Sequence, residues 1–217
     1  MRLIDLSQPL EDGSPNCPAH PIPRSERTAD HGPDGWRMEV LTVASHTGSH
    51  VDSPLHKIPG GLSVSEMPLE TFAGPARIAD LRPLPPNHPI GPDDLDRTLG
   101  DLQPGEIALL CTGWGDLRAR TDEWLLNSPY LSPAGARWLV THDARAVGID
   151  HYSIGGSRDP DNSDTHTILL DSGLWVVEEL RFPPEAFTVA RPTLFLSLPV
   201  HLKLHSGAFC RPVLMVL

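Results

Sequence analysis

Apolar and polar residues alternate over residues 36–44, where Trp36, Met38, Val40, Thr42 and Ala44 share one parity and Arg37 and Glu39 begin the other. That period of two predicts a strand. Residues 2–7 predict a first strand, and the Pro9 to Pro23 region a loop. Ala76 to Leu81 and Glu106 to Thr112 are apolar enough for buried strands, and Ala146 to Asp150 for a short one. Between them, Pro92 to Leu99 carries acids in a first helical turn. Ser132-Pro133 is an N-cap followed by proline, which opens a helix to about Thr141. Residues 151–164 read as loop, Asp164 or Thr165 opens a helix that Gly173 ends, and Leu174 to Leu180 is the next strand. Residues 193–204 and 210–217 predict the last two strands. Strands dominate, helices are few and short, and helix-then-strand connections make the chain α/β.

Composition narrows the classes. The 217 residues suit one sizeable core, a single domain over residues 1–217, and 39% hydrophobic content marks a globular chain. Twenty-eight acids against 17 Lys and Arg give a net charge of −11, which argues against nucleic acid as partner. Met1-Arg2-Leu3-Ile4-Asp5 does not read as a signal peptide, and no apolar run approaches the ~20 residues of a membrane span. A cytoplasmic protein is expected. Cys17, Cys111 and Cys210 are odd in number and far apart, so they predict reduced thiols rather than a disulfide framework or a thiolate metal site.

The strand over 36–44 runs into His46-Thr47-Gly48-Ser49-His50-Val51-Asp52-Ser53-Pro54-Leu55-His56. Three imidazoles and a carboxylate stand here without Lys or Arg, and both are ligand types that zinc and manganese accept. A straight strand would hold His46 and His50 about 13 Å apart. Ligands of one ion must be closer, so the chain has to bend, and Gly48 at the midpoint tolerates that best. Pro54 argues against a continuing helix, which predicts an extended run in which Asp52 and His56 face the same side.

The pattern H-x-G-[ST]-H-x-D-x-P-x-H resembles the signature of the cyclase family of metal-dependent hydrolases, which includes bacterial kynurenine formamidase and isatin hydrolase. The resemblance implies a three-layer β/β/α fold of the swivelling type with a mixed sheet, and a homodimer or homotetramer. It implies two divalent ions, zinc or manganese, sharing Asp52: His46, His50 and Asp52 hold one, and Asp52, His166 and Glu178 the other. His166 and Glu178 are spaced as the family's second ligand pair, while Glu179 stands where members often carry Asn. His56 falls to the proton-transfer role, since imidazole takes and gives a proton near pH 7. The implied substrate is a small aryl formamide like N-formylkynurenine, an intermediate of tryptophan catabolism. A lactam or lactone ring, as in isatin, is the alternative, and a non-catalytic metal- or ligand-binding relative is a third reading. Two stretches depart from the family. Cys17-Pro18-Ala19-His20 replaces an aromatic-Pro-Gly-Asp run near the substrate, leaving Pro18 and His20 as candidate substrate contacts. His205-Ser206-Gly207 replaces an Asp-Gly pair.

Overall fold

The structure is a computed structural model that describes residues 1–189 and 193–216. Its strands are β1 (Arg2–Asp5), β2 (Arg24–Ala29), β3 (Met38–Thr42), β4 (His50–Asp52), β5 (Ala73–Asp80), β6 (Pro89–Ile90) and β7 (Ile107–Cys111). They continue with β8 (Tyr130–Leu131), β9 (Ala146–Ile149), β10 (Trp175–Glu178), β11 (Leu194–Leu196), β12 (Gly207–Phe209) and β13 (Val213–Val216). The helices are α1 (His31–Asp34), α2 (Pro92–Leu99), α3 (Asp122–Leu126), α4 (Pro133–Thr141) and α5 (Asp161–Asp171).

Nine strands form one mixed sheet in the order β1-β13-β11-β5-β7-β9-β10-β4-β12. The β5-β7-β9-β10 centre is parallel, and both flanks are antiparallel. Side-chain parity divides the core in two. Ala108, Leu110, Val147, Ile149 and Val176 face α2, α4 and α5 through Leu95, Leu99, Leu139 and Leu169. The intervening Ile107, Leu109, Trp175 and Val177 pack on the other side with Val51, Phe72, Phe195 and Leu214. A central strand buried on both faces reads as a continuous apolar run, as residues 107–111 do. Helices on one face and the sheet curled on the other give the expected β/β/α arrangement.

Where local chemistry sets an element, the sequence places it closely. Pro92 opens α2 with Asp93 and Asp94 in its first turn, and the Ser132 hydroxyl accepts from the Gly135 N–H to cap α4. Other expectations need correction. The alternating run at 36–44 is a strand only over Met38–Thr42, and it pairs with β2 in a separate two-stranded ribbon whose side chains are almost all exposed. Period two reports which residues share a face, and nothing in it says that the face is covered. Helix α5 begins three residues before Asp164, at Asp161, so His166 lies in its second turn. The expected strand at 193–204 shrinks to Leu194–Leu196, and the expected turn at 205–207 leads into β12, which pairs with β4. Leu217 of the predicted last strand lies outside the described residues.

Candidate metal centre

Bends over Ser45–Ser49, with Gly48 at φ +65°, turn the chain from the ribbon into β4. Strand β4 lies between β10 and β12, with His50 opposite Glu178 and Phe209, and Asp52 opposite Val176 and Gly207. Paired residues share a face, so His50, Asp52 and Glu178 all point to the helix side, where α5 supplies His166. The extended run predicted beyond Asp52 is overturned: Pro54–His56 forms a 3₁₀ turn. Proline fits the first position of such a turn because its missing N–H is not needed there. The turn, rather than strand parity, sets the His56 ring 4.1 Å from that of His46 and 5.8 Å from that of His166.

Asp52, Glu178, His50 and His166 are 1%, 3%, 1% and 7% exposed, burial that charged groups accept only when compensated. His50 donates from Nδ1 to the Gly48 carbonyl at 2.7 Å, and His166 from Nδ1 to the Asn162 carbonyl at 2.8 Å. A carbonyl only accepts, so both rings carry their proton on Nδ1 and turn Nε2 inwards. His50 Nε2 stands 3.4 Å from both Asp52 Oδ1 and Glu178 Oε2. His166 Nε2 stands 3.4 Å from Glu178 Oε1 and 3.8 Å from Asp52 Oδ2. Nitrogen lone pairs aimed at carboxylate oxygens require a positive charge between them. Asp52 Oδ2 also has no hydrogen-bond partner among the described residues, while Glu178 Oε1 accepts from the Ile154 N–H at 2.7 Å.

His46 completes the set. Its Nδ1 lies 2.6 Å from Asp52 Oδ1 and its Nε2 2.9 Å from the Ser206 hydroxyl. Ligation on the Asp52 side requires the tautomer in which Nε2–H donates to Ser206, so that serine orients the ring. One potential ligand atom from each of His50, Asp52 and Glu178, and likewise from each of His46, Asp52 and His56, lies within 4.8 Å of the others in its group. The donor set is nitrogen and carboxylate oxygen without thiolate, which suits divalent cations such as zinc and manganese.

Burial opposes charge throughout, and the neighbours outweigh it. Burial works against the Asp52 carboxylate, yet the imidazoles of His56 and His46, with that of His50, hold it well below the usual carboxylate range. Burial and Asp52 act to raise Glu178, and the imidazoles of His166 and His50 beside it bring it down. Burial works to lower His50, but Asp52 and Glu178 hold it well above its ordinary value. His166 is likewise raised, mainly by Glu178. Protons and metal ions therefore compete for the same inward nitrogens. His56 differs: surrounding protein atoms pull it down despite Asp52, and its ring nitrogens have no hydrogen-bond partner among the described residues.

A cavity of about 300 Å³ opens onto the cluster. Cys17, Pro18, Ala19 and His20 line it together with Leu126 and Tyr152, so the predicted substrate contacts Pro18 and His20 are at the pocket. His20 donates from Nδ1 to the His46 carbonyl at 3.1 Å. His31 and His205 lie on exposed surface and do not line it. Trp114 is core beneath the pocket, packed with Trp124 and Tyr152. Of the two adjacent acids, Glu178 faces the cluster, whereas Glu179, at φ +52°, turns away to accept from Arg118 Nε at 2.6 Å. Arg118 donates further to the Pro9 and Pro15 carbonyls, tying the pocket loop to the end of β10. Sequence reasoning missed Ser206, Gly207 and Arg118. Each acts through a strand or loop brought in from far along the chain, so no local spacing signals it.

Comparisons with known proteins agree with this geometry. The Cyclase family matches residues 4–155. A kynurenine formamidase of Bordetella avium is 30% identical over 186 residues, 82% of each chain. One from Geobacillus thermodenitrificans is 32% identical over 155 residues, 70% of this chain and 69% of its own. Isatin hydrolase A from Labrenzia aggregata shares the fold, with a TM-score of 0.85 at 21% identity over 99% of this chain and 93% of its own. A structure described as a potential metal-dependent hydrolase with cyclase activity superposes with a TM-score of 0.78 at 27% identity, over 98% and 96% of the two chains. With its signature motif folded around one buried cluster and its length shared with these relatives, the chain belongs to the Cyclase family of metal-dependent hydrolases.

Proposed function

We propose that the chain hydrolyses the amide bond of a small aryl formamide, of the N-formylkynurenine type, with two divalent ions, zinc or manganese, at the cluster. The observation that carries the reading is the pair of inward Nε2 atoms of His50 and His166 facing the Asp52 and Glu178 carboxylates at 3.4–3.8 Å. His46, His50 and Asp52 would hold one ion, and Asp52, His166 and Glu178 the other. When bound, such ions lower the pKa of water from 15.7 towards ~7 and polarise a carbonyl.

The chain's own residues supply the rest. Buried Asp52 and Glu178 stay ionised and fix the imidazoles that face them. Leu126 and Tyr152 give the pocket an apolar wall against which an aryl ring can lie. The departing nitrogen needs a proton, and we assign its delivery to His56, whose ring nitrogens have no other partner among the described residues and whose pKa burial lowers. Neutral at pH 7, it takes a proton from water and passes it to the amine. The two kynurenine formamidase relatives support the formyl group as the acyl part.

The test is a substrate screen on protein purified without chelator, with formanilide, an N-formylkynurenine-type formamide and an isatin-type lactam. Release of formate that stops on chelation and returns with zinc or manganese is expected. Turnover of the lactam alone would overturn the formamide reading, and activity that survives complete metal removal would overturn the metal-dependent one.

A further inference from the structure

A polar side chain on a pocket wall can donate to a substrate only the hydrogens that the protein has not already engaged. On the wall of the cavity over the cluster, most are engaged. The Tyr152 hydroxyl donates to the Leu125 carbonyl, and the Ser157 hydroxyl to the Leu126 carbonyl at 2.9 Å. The Nδ1–H groups of His20, His50 and His166 all go to backbone carbonyls. The inward imidazole nitrogens and the Glu178 carboxylate only accept. The cluster itself therefore offers a substrate oxygen no hydrogen bond.

Asn162 is different. It is the second residue of α5 and lines the cavity beside His166. Its carbonyl accepts from His166 Nδ1. Gly155 packs so closely on it that a Cβ there would lie 2.7 Å from Asn162 Cα and 2.9 Å from Oδ1. Ser153 sets which way the amide points. Its hydroxyl donates to Asn162 Oδ1 at 2.8 Å, and Ser153 is 6% exposed. With the amide reversed, that buried hydroxyl proton would have no acceptor among the described residues. Oδ1 therefore turns to Ser153, which leaves Nδ2 with two N–H donors and no partner among the described residues. Besides His56 and the weakly donating Cys17 thiol, this amide is the uncommitted side-chain donor on the described cavity wall.

We propose that the Asn162 side-chain amide donates to the oxygen of the scissile carbonyl. In hydrolysis the water oxygen bonds to the carbonyl carbon and the C=O electron pair moves onto its oxygen. The pair returns as the C–N bond breaks and the nitrogen takes a proton. An N–H donor already held in place favours the charged stage over the starting amide. The assignment rests on the hydrolase reading above and makes Asn162 a catalytic residue for it.

The experiment compares Asn162→Ala and Asn162→Asp with wild type on formanilide, on an isatin-type lactam and on thioformanilide. The aspartate keeps the shape and still accepts from Ser153, but donates nothing. Both variants are expected to retain metal and KM and to lose about 10²-fold in kcat on the oxygen substrate that turns over. On thioformanilide the loss should shrink to about tenfold or less, because sulfur accepts weakly. Wild-type activity in Asn162→Asp would overturn the proposal, since Asn162 would then act only through Ser153. An equal loss on the oxygen and sulfur substrates would overturn it as well. Should wild type turn over none of the three, the hydrolase reading fails separately. The donor is then judged by calorimetric binding of benzohydroxamate to zinc-loaded protein, where about tenfold weaker binding to Asn162→Ala is expected. Equal affinity would count against the proposal.

Discussion

Removing the His50 imidazole and removing the His56 imidazole should leave opposite signatures. His50 is buried with its Nε2 between two carboxylates, whereas His56 sits at the pocket with no hydrogen bond to its ring among the described residues. His56→Ala is therefore expected to keep its metal and to lose about 10²–10⁴-fold in kcat, the worth of general acid–base assistance. His50→Ala should lose metal, with activity following. Elemental analysis beside kinetics separates the two. Metal loss in His56→Ala would make it a ligand, an outcome its distance to His46 and Asp52 permits geometrically. At this scale the sequence was most informative where donors were contiguous. His46, His50, Asp52 and His56 announce themselves within eleven residues. His166 and Glu178 are single residues in unremarkable settings, visible only through the resemblance.

The centre depends on registry between three short strands. Strands β10 and β12 flank β4, and Gly207 lies opposite Asp52. A Cβ at Gly207 would clash with the edge of the His46 ring, lying 2.7 Å from Nδ1 and 2.8 Å from Nε2. Gly207→Ala is thus expected to displace His46 from Asp52 and Ser206 and to weaken metal binding by about 10- to 100-fold, as loss of ligand support typically does. Metal titration measures it, and unchanged affinity would mean that the ring is not held by this contact. Nothing in His205-Ser206-Gly207 signalled this role, because it arises from which strand lies alongside, a non-local fact. Helices α2 and α4 were legible for the opposite reason, since their starts are written in adjacent residues. Strand β2, Arg24–Ala29, was not, for its RSERTA run has no apolar face to show.

Two expectations concern the molecule as a whole. Trp36, Met38, Val40 and Leu41 are 69%, 51%, 48% and 47% exposed on or beside the ribbon. Clustered large apolar side chains on a surface mark contact with a partner, and we propose a homo-oligomer built through this face. Light scattering should give a mass at least twice 23.7 kDa, and Met38→Glu with Val40→Lys should reduce it. A wild-type monomer would remove the proposal. The second expectation is pH dependence. His151 is fully buried, donates from Nε2 to the Trp124 carbonyl and accepts from the Ser128 hydroxyl, and burial pushes its pKa down to about 4. The unfolded chain binds that proton below about pH 6.5, whereas the folded chain does not until about pH 4. Stability is therefore full above 6.5 and is lost as pH falls towards 4, by about 3 kcal/mol. Denaturant midpoints followed over that range should show a slope reduced by about one proton in His151→Gln. An equal slope in the variant would mean that His151 is not the group titrating.

Strand order has a consequence for biosynthesis. Among the described residues β1 pairs only with β13, and β4, which carries His50 and Asp52, finds both partners more than a hundred residues downstream. On the ribosome, the histidine-rich motif emerges early and must wait, unpaired, until residues 175–178 and then 207–209 have been synthesised. A nascent chain cut short before β12 would present an open strand edge and a loose set of metal-avid imidazoles. Metal binding at this cluster is therefore expected late, after residues 207–209 have been made, rather than when the motif emerges.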